Sequence, residues 1–154
     1  MSFILEPDIH DPNLPFEEIY DRFRRYDEFL ESIREELPAG ARAYAFRVWR
    51  VWNDRHPHDA WFEELALKVA SSGKRYARRN LDIHVRLLGP AHNGFIEFHY
   101  KRVYNYSLVS VHEWRYDEVR LSEEGHVVHE IRFDANSRWL IECKDFNYKW
   151  KPIK

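Results

Sequence analysis

Three groupings of residues in this chain of 154 have the types and spacing to do chemistry. His56-Pro57-His58-Asp59 sets two imidazoles either side of a proline with a carboxylate adjoining. In an extended loop two such rings can point the same way and share a metal ion. A third ligand would have to come from His112, His126 or Asp117, and neither a His-Glu-x-x-His helix nor a cysteine pair reinforces the site. The competing reading is that Asp59 caps or turns the next element while the histidines face water. The second grouping joins His129 to Asp145. Val127, Ile131 and Phe133 define an apolar face that period two extends to His129, and Trp139, Ile141 and Cys143 define one that reaches Asp145. If those segments pair through their short turn, His129 falls near Cys143 or Asp145. An inward His and Asp must find partners or change protonation. Such a pair is either a polar site for a metal or proton transfer, or a hydrogen-bonded core histidine plus a strand-end aspartate. The third grouping, Lys74-Arg75-Tyr76-Ala77-Arg78-Arg79, interleaves cations with a tyrosine, as phosphate and base contacts require; a hairpin tip is also the cheapest place for solvated charge.

The elements that position these residues follow from periodicity. Phe16, Ile19, Tyr20, Phe23, Tyr26, Leu30, Ile33 and Leu37 recur at three- and four-residue steps and predict an amphipathic packing helix over 15–37. Pro15 suits its first turn, and Pro38 with Gly40 ends it. Arg24, Arg25, Glu28, Glu31 and Glu35 make the solvated face. Residues 42–52 fit either period and are read as a short strand. Trp61–Val69 is also ambiguous, with Asp59 able to cap a helix there. From Leu81 onward alternation and turn residues predict strands, with Ser122-Glu123-Glu124-Gly125 as a hairpin turn. The fold class is therefore α+β: an amino-terminal amphipathic helix, then an antiparallel β-meander of about six strands over about 42–150, in one domain spanning 1–154.

Composition narrows the function classes. Net charge is −2, from 24 basic and 26 acidic residues, so nothing draws the whole chain toward nucleic acid or anionic membrane. Six Trp, nine Tyr and ten Phe either fill the core and the pleated strand faces or form an exposed aromatic platform for a partner protein. The lone Cys143 sits mid-strand, reads as a small core residue, and leaves no internal disulfide. The start lacks the basic and apolar regions of a signal peptide, and no stretch is apolar enough to span a bilayer, so the expected location is cytoplasmic. No phosphate-binding glycine loop and no nucleophile elbow is present, and no cofactor is implied.

His58-Asp59-Ala60, the strand around Tyr100–Tyr106, Trp114-x-Tyr116-Asp117-Glu118 and Ile141-Glu142-Cys143-x-Asp145-Phe146 together resemble a group of small bacterial domains of unknown function. Some of these look like immunity proteins that neutralise polymorphic toxins. The resemblance covers about residues 58–150, implies an antiparallel meander, and brings no catalytic set with it. It marks His58, Asp59, Trp114, Tyr116, Asp117, Glu118 and Asp145 as binding candidates beside His129. The expected function is a non-enzymatic interaction domain that binds and blocks another protein. The alternative is a metal-assisted hydrolase built on His56, His58 and Asp59.

Overall fold

The computed structural model describes residues 3–70, 79–109, 112–134 and 137–153. A 3-10 turn, Pro7–His10, leads to helix α1, Phe16–Ile33, and a further 3-10 turn, Arg34–Glu36. Pro15 is the residue before the first helical turn, and Glu17 and Glu18 sit at its positive end. The apolar stripe expected to pack along its whole length is partly buried at Phe23 and buried at Tyr26, Leu30 and Ile33. At the other end Phe16 and Tyr20 stand in water. Arg22 is buried there instead, its guanidinium paired with both oxygens of Asp8 at 2.9 Å and with Glu18 at 3.1 Å.

Residues 42–52 are not a strand. Helix α2, Ala39–Ala43, runs on as a π-helical turn over Tyr44–Trp49. Tyr44, Ala45 and Trp49 face the core, a one-and-four spacing that only a helix can bury together. The helix start is fixed from outside. Pro38 offers no side-chain cap, and the Asp145 carboxylate accepts the Gly40 and Ala41 N–H groups at 3.0 and 2.8 Å. Gly40 therefore does not end a helix, as its position suggested; it lies inside one, pressed on the last strand. A Cβ there would sit 2.1 Å from the Phe146 carbonyl oxygen.

Six antiparallel strands form one sheet in the order β1-β2-β3-β6-β5-β4: β1 Trp61–Ala70, β2 Asn80–Leu88, β3 Gly94–Ser107, β4 Trp114–Leu121, β5 Val127–Phe133 and β6 Arg138–Pro152. The α+β architecture is the one read from the sequence, built as two three-stranded meanders joined where the long β6 lies against β3. The ambiguous Trp61–Val69 segment is a strand. The outer strands meet at one corner: Asp59 N–H donates to the Trp114 carbonyl at 2.7 Å, and Trp114 N–H to that of Ala60 at 3.1 Å. Phe62 of β1 reaches across to the rings of Phe133 and Trp139. The core is continuous from the α2 turn through Phe98, Trp114, Phe133, Trp139 and Phe146.

β5 and β6 pair as expected, in a register two residues away from the one the turn implied. Val127 faces Cys143, and His129 faces Ile141, because Arg138 already joins the ladder opposite Arg132. A two-residue offset keeps every side chain on its face. It removes His129 from Asp145, which lies past this pairing, opposite Lys101 of β3. The burial alternation of β6 also changes phase between Cys143 and Phe146, so Asp145 does not continue the apolar face.

Candidate functional site

His58 and Tyr116 lie together in a groove of about 330 Å³, closed by Phe16, Ile19, Tyr20, Phe23 and Trp52. Its walls come from three elements. The exposed end of α1 supplies Phe16 and Tyr20, which pack edge to face at 4.4 Å and are 67% and 62% exposed. The loop after α2 supplies Trp52, 47% exposed, stacked on His56 at 4.0 Å and edge-on to His58 at 5.1 Å. Strand β4 supplies Tyr116, 5.1 Å from the His58 ring and 6.0 Å from Phe23. Carbon dominates this lining, and the polar edge is the imidazole.

The loop holding His58 is braced by backbone bonds, which take both ring nitrogens of His56 and one of His58. His56 is buried; its Nε2–H donates to the Trp49 carbonyl at 3.1 Å, and its Nδ1 accepts the His58 N–H at 3.0 Å. Both ring nitrogens are engaged. Burial holds the His56 imidazole below its ordinary pKa, against the pull of nearby Asp117. His58 Nδ1 bonds the Arg115 carbonyl. Asp59, with φ of 67°, turns its carboxylate to Arg115, whose guanidinium also meets Glu113 at 3.5 Å and Asp134 at 3.1 Å. Of the other suggested ligands, His112 is exposed, His126 bonds Glu142 at 2.7 Å, and Asp117 belongs to a different cluster. His58 Nε2 lies 3.5 Å from Asp59 Oδ1, but among the described residues His56 does not join them in a three-donor group.

Trp114, Asp117 and His129 form that second cluster, at the centre of the core. Asp117 Oδ2 accepts the Tyr44 hydroxyl at 2.6 Å and His129 Nε2–H at 2.7 Å, while Oδ1 faces Trp114 Nε1 at 3.4 Å. The Tyr100 hydroxyl donates to His129 Nδ1 at 2.7 Å. The His129 ring lies flat on Phe146 at 4.9 Å. Every donor and acceptor of the imidazole is used, as a buried polar network requires. Burial would raise the Asp117 carboxyl, but the hydrogen bonds from His129 and Tyr44 hold it below its ordinary value. Burial carries the Tyr44 and Tyr100 hydroxyls well above theirs. His129 is 0% exposed and Asp117 1%, so this histidine, aspartate and tyrosine set meets no solvent-borne substrate.

The last two sequence candidates hold the fold. Glu118, on the opposite face of β4 from Asp117, accepts the N–H groups of Phe3, Ile4 and Leu5 and pairs with Arg120 at 3.1 Å. Burial nonetheless pushes its carboxyl above the ordinary value. Arg120 continues to Glu130 at 2.7 Å, and Arg132 donates to the Leu5 carbonyl at 2.6 Å. Asp145 is the helix anchor already described. The eight candidates therefore fall into a groove (His58, Tyr116, with Asp59 at its rim), a sealed network (Trp114, Asp117, His129) and two tethers (Glu118, Asp145).

Sequence reasoning missed Phe16 and Tyr20, which it assigned to packing, Trp52, which it placed at the end of a short strand, and Arg115, which gathers three carboxylates. It missed Tyr44 and Tyr100 as network partners. Counting back through the Ser122–Gly125 turn would have found one link, since it sets Val119 opposite His129 with Asp117 one step along the same face. Residues 74–78 of the basic run lie outside the described residues, and Arg79 is exposed. Among the described residues no helix is long and apolar enough to cross a membrane. No protein-family model, no curated protein and no solved structure matches the chain.

Proposed function

We propose that the protein is a non-enzymatic interaction domain of the immunity type, acting in the cytoplasm, which binds and blocks a partner protein through the aromatic groove. The occupant is a large apolar or aromatic side chain of that partner, inserted between Tyr20 and Trp52 and over Tyr116. The observation that carries this reading is the exposure of Phe16 and Tyr20 on a helix whose later apolar residues, Tyr26, Leu30 and Ile33, are buried. Tyr and Trp at the centre of a contact supply large rigid area at little entropic cost and dominate binding energy. The set of residues with catalytic character, by contrast, is sealed and saturated, which supports a structural role for it.

The test is the product of the adjacent gene, expected to be a toxin or secreted effector, co-purified with this protein and titrated against it by calorimetry. Tyr20→Ala with Trp52→Ala should weaken binding by roughly 700-fold, since each anchor contributes on the order of 2 kcal/mol. The circular dichroism spectrum should stay unchanged, as both side chains are exposed. A neighbourhood of metabolic enzymes alone, or a complex indifferent to the double substitution, would overturn the proposal.

A further inference from the structure

Asp82, His84 and His99 gather on adjacent strands, and the two histidines line a cleft of about 390 Å³ that shares no residue with the aromatic groove. Their placement follows from the ladder. Asp82 and His84 are two apart on β2 and share a face, and His99 is the direct cross-strand partner of His84 on β3. The two imidazoles stack at 4.1 Å with their planes 20° apart, and His99 Nε2 lies 2.8 Å from Asp82 Oδ2. One potential ligand atom from each residue lies within 4.8 Å of the other two.

A second observation points to the same place. Strand β3 carries a bulge opposite Leu81–Ile83, where Arg102 adopts a left-handed φ of 53°. Such a conformation costs an arginine energy and persists where something is gained by it. Here it aims the Arg102 N–H at Asp82 Oδ1, at 3.0 Å, while the Arg102 side chain reaches Asn80. One carboxylate oxygen is thereby fixed, and the other is turned to His99. This is the outer-shell support that orients a metal-binding carboxylate.

We propose that Asp82, His84 and His99 form a mononuclear site for a divalent cation of the zinc class, with an open coordination position facing the cleft. Two imidazoles and one carboxylate are a donor set suited to zinc, and three protein ligands leave the fourth position to water. Tetrahedral bonds of about 2.1 Å set neighbouring ligand atoms roughly 3.3 Å apart, so the contact between His99 and Asp82 opens by about half an ångström when the ion replaces the shared proton. Glu64, Arg86, Glu97 and Lys149 line the cleft around the open position.

The experiment titrates zinc chloride into the untagged protein, stripped of metal, by calorimetry and by following the histidine ring resonances. One equivalent should bind, with the His84 and His99 signals moving together. His84→Ala and His99→Ala should each weaken binding at least tenfold, and Asp82→Asn, which keeps the side-chain shape, should do the same. All three should keep the circular dichroism spectrum of the parent. His126→Ala, at the separate Glu124, His126 and Glu142 cluster, should bind as the parent does. Absence of saturable binding, binding that survives loss of His84 or His99, or binding lost with His126 would each overturn the assignment. None of these results depends on the partner-binding test of the groove.

Discussion

Replacing Asp117 with alanine tests whether the central polar cluster is one cooperative structural unit. The substitution leaves three donors facing a void in the core: the Tyr44 hydroxyl, His129 Nε2–H and Trp114 Nε1–H. Stranding a buried donor costs about 1–3 kcal/mol, and the Trp114 contact at 3.4 Å is weak, so the first two set the scale. The expected loss is about 3–5 kcal/mol, the two stranded donors together with the cavity that the missing carboxylate leaves. For a chain of this size that corresponds to a fall in Tm of roughly 6–20 °C. Tyr44→Phe should cost less, about 1.5–3 kcal/mol, since the carboxylate keeps its other partners. Urea denaturation followed by tryptophan fluorescence measures both, and the double variant should lose at least about 1 kcal/mol less than the sum. The acid limb should change as well. The folded Asp117 carboxyl titrates below its ordinary 3.8, so its stabilisation is present above that pH and is lost as pH falls through the folded value. Asp117→Ala removes that component. A loss under about 1 kcal/mol, or strict additivity with Tyr44→Phe, would refute the cooperative network.

Two further predictions come from the helix that follows α1 and its loop. Gly40→Ala should destabilise by roughly 3 kcal/mol, the upper end for overpacking, because the new methyl meets the Phe146 backbone and not a movable side chain; a Tm equal to that of the parent would contradict the packing of α2 on β6. Acidification below pH 6.5 should lower the urea midpoint. His56 has its folded pKa depressed, so the unfolded chain binds more protons between that value and 6.5, and stability falls through this window by at most about 1.4 kcal/mol per pH unit. His56→Gln should flatten the slope there; an unchanged slope would assign it to other groups.

Legibility differed sharply between parts of the chain. Strands β2 and β3 declare themselves through alternation that the burial pattern follows closely up to Tyr100. The Ser122–Gly125 hairpin is equally plain, since Gly125 takes a φ of 83°. Residues 42–52 carried both periods at once. What decides between them is the Asp145 carboxylate at the start of α2, brought there by the closing strand and invisible to any local window. The inward orientation of His129 could be read from its neighbours, but its partner could not, because a register offset of two residues preserves faces while changing who meets whom. The groove was hardest to see. Phe16 and Tyr20 continue the spacing of the buried Tyr26 and Leu30, and a stripe of apolar residues does not say where its cover ends.

Cys143 is the only sulfhydryl in the chain, and it is fully enclosed at a position where burial pushes its pKa up to about 12. A thiolate-seeking reagent in neutral buffer therefore meets no reactive target until β6 separates from its neighbours. The molecule thus carries a built-in clock for its own breathing. The pace of alkylation, with reagent in excess, counts how often the middle of the sheet opens, without any label having been introduced.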